Sequence, residues 1–164
     1  MTETKRTVKI YTVEENPEVL RQISKEVPLE EIGTEKINQI IADMHYAADH
    51  AKLPKGFMVG GLAAVQIGFP IRMFMVQDVD TDKREFYINP TIEIIDFHMI
   101  INEEGCLSVP TKHGYVPRYS KIKITYYDVK GKKVRKTAAD QFAQALQHEN
   151  DHLNGILFID KLSK

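Results

Sequence analysis

The sequence predicts one α+β domain spanning 1–164: antiparallel strands packed around a C-terminal helix, with another helix towards the N-terminus. Three observations carry that expectation. Strand-like runs are grouped between residues 71 and 136, and helical periodicity is confined to the two flanks. A chain of 164 residues also suits a single domain that buries its own core without disulfide staples.

The elements follow in order. Residues 8–13 alternate weakly and predict a short strand. Thr34 stands at an N-cap position, and Ile37, Ile40, Ile41, Met44, Ala47, Ala48 and Ala51 recur at helical spacing, predicting a helix over 35–51. Lys52-Leu53-Pro54-Lys55-Gly56 breaks it. Strands are predicted at 71–77, at 85–95 with an interruption at Pro90, at 98–102 and at 121–129. Lys130-Gly131 forms the hairpin turn into 132–136. Thr137 followed by Asp140 resembles a capping box and opens a helix over 138–152, which Asn154-Gly155 closes with a left-handed cap.

Composition excludes several classes. The formal net charge is −1, from 22 Lys+Arg against 23 Asp+Glu, and the basic residues are scattered, so no nucleic-acid groove is indicated. No apolar run reaches membrane-spanning length. The N-terminus shows no secretory or transit signal, and a lone cysteine, Cys106, suits a reducing compartment, so a cytoplasmic location is expected.

The chemistry concentrates in QHENDHLNG, residues 147–155. His148 and His152 lie four apart, which puts both imidazoles on one helix face, and Glu149 sits where it reaches a metal-bound water. The same spacing also fits two polar residues on a wet helix face. A catalytic metal site typically has three protein ligands. Phe158 stands where a downstream third His would fall after Gly155, and no Glu follows Glu149. Beyond the motif the only carboxylate is Asp160, uncomfortably close in sequence. The upstream option is Cys106, whose thiolate is a strong ligand for Zn²⁺ or Fe²⁺, although a lone free Cys is ordinarily a small buried hydrophobe.

Three stretches, GGLAAVQIG (60–68), EGCLS (104–108) and QHENDHLNG (147–155), resemble the signature motifs of peptide deformylases, in the same order and at similar spacing. The agreement extends to NPEVLRQISKEV (16–27) and GILFIDKLS (155–163). The resemblance implies that Cys106, His148 and His152 ligate one divalent metal ion, natively Fe²⁺, with Zn²⁺, Ni²⁺ or Co²⁺ able to occupy the purified protein. It implies Glu149 as general acid/base, with the Gln66 side-chain amide and the Leu107 backbone N–H as donors to the developing oxyanion. It further implies a Glu104–Arg118 pair, and a substrate cleft formed by Gly60, Gly61, Asn102, Glu104, Gly105, Gln141, Gln144 and Ala145. The implied reaction removes formate from the N-formylmethionine of a nascent polypeptide, with transient ribosome association; an organellar location is the alternative to the cytoplasm, with no targeting signal behind it.

The sequence departs from the family pattern in two places. Val59 occupies the position of the first motif glycine, so the backbone before Gly61 is expected to run differently. Gln141, Gln144, Asn102 and Gly60 stand where the family usually places aliphatic bulk. Either the glutamines face solvent, or the pocket is wider and more polar than usual. The second reading keeps open a related metal amidohydrolase acting on a more polar N-acyl substrate. A non-catalytic binder of blocked peptide ends is disfavoured by the presence of both Glu149 and Gln66.

Overall fold

Strand β2 (Met73–Gln77) is buried on both faces, and the layers of the molecule follow from that. In this computed structural model, which describes residues 7–53 and 59–164, β2 belongs to a five-stranded antiparallel sheet. The other strands are β1 (Gly61–Ala63), β3 (Arg84–Cys106), β4 (Val109–Tyr127) and β5 (Lys133–Ala139), each pairing with its neighbour in sequence. Helices α1 (Pro17–Leu20), α2 (Glu35–Asp49) and α3 (Asp140–Leu153) complete the described residues, together with short 3-10 turns.

Side chains alternate across a strand. Met73 and Met75 therefore join Ile37, Ile40, Met44, Ala47 and Ala48 of α2 in one core. Phe74 and Val76 join Ala143, Leu146 and Leu153 of α3 in the other, with Ile122, Ile124 and Tyr126 from β4. Each Val, Leu, Ile, Met or Phe among them contributes about 1.5–3 kcal/mol on full burial. A helix of 15 residues, the length of α2, is marginal alone, so this packing decides that it forms.

The structure alters several sequence expectations. The strands at 85–95 and 98–102 are one element, β3, whose register shifts between Ile88 and Thr91, between Ile94 and Met99, and between Glu104 and Cys106. Pro90, which has no N–H to donate, falls in the first shift. Asn89 beside it adopts φ 50°, and its amide clamps Val27 through two 2.8 Å hydrogen bonds. Residues 8–13 are not a strand; this segment instead bonds outward, with Tyr11 N–H donating to Gln66 O and Val13 N–H to Ser108 O. Thr137 is the interior of β5 rather than a cap, and α3 begins at Asp140. Thr34 does occupy the N-cap of α2, but its hydroxyl donates to Glu31 O. Helix α2 ends at Asp49; of the break at 52–56, only Lys52 and Leu53 lie within the described residues.

The end of α3 forms as expected. Gly155 takes φ +70°, its N–H bonds His152 O at 3.2 Å, and Ile156 N–H bonds Asp151 O at 3.0 Å. Ser24 N–H and Arg72 Nη1 cap Leu153 O. The turn carrying His152 thus has its terminal carbonyls satisfied, which makes it a rigid platform.

A Cβ at Gly155 would lie 2.6 Å from Arg21 O, in addition to the left-handed strain, whereas one at Gly131 (φ +82°) would meet nothing nearer than 3.8 Å. Thermal unfolding of Gly155→Ala should therefore show a loss well above 1 kcal/mol, and Gly131→Ala one of about 1 kcal/mol. Equal losses would contradict the backbone clash.

Candidate metal centre

Two elements bring the candidate ligands together. Helix α3 presents His148 and His152 on one face, their ring centroids 5.2 Å apart. The tight turn from β3 to β4, closed by the pairing of Cys106 with Val109, delivers the thiol. Cys106 Sγ lies 3.4 Å from His152 Nε2, and one ligand atom from each of the three residues falls within 4.8 Å of the others. A tetrahedral ion with bonds of ~2.0–2.3 Å has ligand–ligand edges of roughly 3.3–3.6 Å, so the donor set fits one divalent cation after small side-chain adjustments.

The charges around it suit a cation. For His148, burial opposes the charged form, but hydrogen bonds with Cys106 and Glu104 outweigh it and raise the imidazole to about 10. The cluster therefore draws positive charge to the position facing Cys106. His152 goes the other way, held well below its ordinary value by burial and by repulsion from His148 and Arg118. It is neutral, the form in which imidazole ligates. Glu104 Oε1 meets His148 Nδ1 at 2.7 Å, orienting the ring so that Nε2 faces the other ligands.

Glu149 is 5 % exposed, and its Oε2 is a buried oxygen without a hydrogen-bond partner among the described residues. Burial raises its carboxyl to about 7, with His148 opposing and Glu104 reinforcing the shift. Gly61 makes room for it: a Cβ there would sit 2.6 Å from Glu149 Oε1. Gly61 enters the sheet opposite Val76, and Val59 packs into the α2 core.

Gln66 lies buried behind the thiol rather than in the open cleft. Its Oε1 accepts from Ala63 N–H at 2.8 Å, which forces the NH₂ group towards Ser108 Oγ (3.0 Å) and Cys106 Sγ (3.6 Å). Ser108, fully buried, was not singled out from the sequence, although it directly follows Leu107. A cleft of about 1000 Å³ opens onto the centre. Leu107, Gly60, Gly61, Asn102, Glu104, Gly105, Gln141, Gln144 and Ala145 all line it, with Cys106, His148 and Glu149. Both carboxylate oxygens of Glu104 are nevertheless taken, so it holds the site rather than a ligand. His113, also lining the cleft, crowds Gly105: a Cβ on that glycine would lie 2.7 Å from its ring. Asp160 is engaged elsewhere, paired with Arg21 at 2.5 Å.

The polypeptide deformylase family model matches residues 7–164. The chain belongs to this family. A peptide deformylase from Pelagibacter ubique is 40% identical over 163 residues, covering 96% of this chain and 87% of the relative. "Peptide deformylase 1A, chloroplastic" from Solanum lycopersicum is 34% identical, covering 88% of this chain and 56% of its own length. The Met-Ala-Ser-bound crystal structure of the class I type b peptide deformylase from Acinetobacter baumannii superposes with a TM-score of 0.82 at 28% identity, covering 96% of this chain and all of that one. Membership of the polypeptide deformylases makes the chain a hydrolase that removes the N-formyl group from nascent polypeptides.

The deformylase centre is braced by one buried guanidinium. Arg118 of β4 is 2 % exposed, grips Glu104 with two 2.9 Å bonds, and reaches Asp151 of α3 at 2.6 Å. Lys161 approaches Asp151 at 3.0 Å from the other side. The Glu104 pair matches the sequence expectation; Asp151 and Lys161 were missed, because contact across 33 and 10 residues has no local signal.

Arg118→Leu removes the partner shared by two buried carboxylates, leaving Glu104 only His148 and Asp151 only Lys161, and should cost about 3–5 kcal/mol in urea unfolding. Burial raises the Glu104 carboxyl, but Arg118 and His148 win and lower it from 4.5 to about 2. Its folded value is depressed, so its stabilisation is present above the unfolded value and lost as pH falls towards about 2. Stability measured across that window should fall less steeply in Glu104→Gln than in the parent. An identical acid limb would contradict the assignment.

Proposed function

We propose that Cys106, His148 and His152 hold one divalent cation at the floor of the cleft, and that Glu149 moves the protons of formamide hydrolysis beside it. The observation that carries this is the convergence of three ligand atoms within 4.8 Å next to a buried carboxylate whose Oε2 has no hydrogen-bond partner among the described residues. When bound, such an ion supplies Lewis acidity for the water nucleophile and the formyl carbonyl.

The protein's own groups account for the rest. Glu149, raised to about 7, is poised to accept the proton of the attacking water and return it to the departing nitrogen. Formate leaves with the formyl carbon, and the peptide gains a free amino terminus. The Gln66 amide, with its oxygen tied to Ala63, can only offer N–H towards Cys106. With the Leu107 N–H it supports developing charge on the formyl oxygen, a donor of this kind being worth about 2.7–4 kcal/mol. Small residues at Gly60 and Gly61 let the substrate backbone approach β1.

Thiolate with two imidazoles suits Fe²⁺, Zn²⁺, Ni²⁺ or Co²⁺. Fe²⁺ as the native ion, a transient encounter with the ribosome, and a cytoplasmic location are proposed on family resemblance. Among the described residues no helix is long and apolar enough to cross a membrane. The chloroplastic relative makes an organellar setting the alternative.

Metal-replete protein prepared without oxygen should release formate from a formyl-Met peptide, and Glu149→Gln should lower kcat by at least about 10²-fold. Absence of formate at full metal occupancy would remove the assignment. Independently, anomalous scattering should place a single ion between Cys106, His148 and His152; a peak elsewhere would reassign the ligands.

A further inference from the structure

We propose that Asn102 and Gln144 form a polar subsite beside the metal centre, one that admits a carboxamide side chain at the first residue of the formylated peptide as well as methionine. This rests on the deformylase reading and concerns only which formyl peptides the cleft accepts.

The two residues reach the same place from opposite walls. Gln144 lies one helical turn before His148 on the face of α3 that lines the cleft. Asn102 lies two residues before Glu104 on β3, hence on the same strand face, and Glu104 is the partner of His148. Asn102 Nδ2 donates to Gln144 Oε1 at 2.9 Å, closing the wall between helix and strand. Both residues are half-buried. That bond uses one donor and one acceptor, leaving an amide oxygen and N–H groups without a further partner among the described residues. Elsewhere the lining includes small residues: among the described residues a Cβ at Gly60 would touch nothing within 4 Å, and Ala145 adds only a methyl group.

The chemistry of this wall decides what fits. A thioether or aliphatic chain pressed against it displaces water from an amide oxygen and an N–H without replacing either bond. A primary amide offers both an acceptor and a donor, the complements of those two groups. Sites built to hydrogen-bond a substrate group discriminate strongly against analogues that lack it, whereas apolar contacts discriminate weakly. The apolar burial that favours methionine is therefore offset here by lost polar pairing, and a formyl-Gln end regains what it loses in apolar contact.

The test compares kcat/KM for formate release from formyl-Met-Ala-Ser and formyl-Gln-Ala-Ser by the metal-replete protein, its Gln144→Leu and Asn102→Leu variants, and calorimetric binding of the two deformylated peptides. The ratio within one preparation is independent of the active fraction, so a partly unfolded variant still reports. The expected result is a Met:Gln ratio below about a hundredfold that rises at least about tenfold in either variant, with weaker Gln-Ala-Ser binding. Methionine ahead by a hundredfold or more in the parent, or a ratio that neither substitution raises, overturns the inference while leaving deformylation intact. No formate from either peptide would remove the deformylase assignment itself, and this subsite with it.

Discussion

Arg118 is the interaction on which the arrangement depends. The candidate ligands come from two elements with no covalent reason to stay together, a hairpin turn and a helix. One guanidinium joins them by holding Glu104 on the strand that ends in Cys106 and Asp151 between the two histidines of α3. Its planar fork suits two carboxylates at once, which an ammonium group would not match. Three charges are taken out of water by this, and the cost is met only because most of their hydrogen-bonding groups are used on one another. Glu104 also turns the His148 ring, so the bond that ties the elements together also aims a ligand.

Around that brace, shape matters as much as charge. Gly61 has no side chain where the Glu149 carboxylate lies, and Oε2 of that buried carboxylate has no hydrogen-bond partner among the described residues. An oxygen so placed is raised towards neutrality by burial, which is the property a proton-transfer group needs. Gln66 works by the opposite device. Its amide oxygen is taken by Ala63 N–H, and that use dictates where its N–H groups point. Gln144, one turn before His148 on α3, pairs with Asn102 of β3, and the pair gives the cleft a polar wall where bare aliphatic packing would serve methionine better.

Much of this was legible in the residue order, and what was not has physical causes. Helices α2 and α3 show themselves through apolar positions three and four apart, and the doubly buried β2 through an unbroken run. The Lys130-Gly131 turn and the Gly155 cap are local, set by backbone conformations that glycine adopts freely. The capping signal at Thr137 misled because the pairing of Thr137 with Lys123 in the β4–β5 ladder outweighs a local side-chain cap. The gap expected at Pro90 and the separate strand at 98–102 vanish because bulges absorb the irregularity without ending the pairing. Residues 8–13 carry a strand-like pattern but find isolated acceptors on Gln66 and Ser108 instead of a ladder.

By itself the sequence determined the helix, the four-residue spacing of its histidines, the accompanying carboxylate and the family, because these depend on local periodicity and on motif order. Only the tertiary structure decided that Asp151 and Lys161 belong to the brace, that Ser108 fixes Gln66, and that Gln144 meets Asn102 rather than solvent. Each of these is a contact between segments distant in the chain. Which polar groups pair when desolvated is settled by the packing of sheet against helix, and no local pattern of residue types records it.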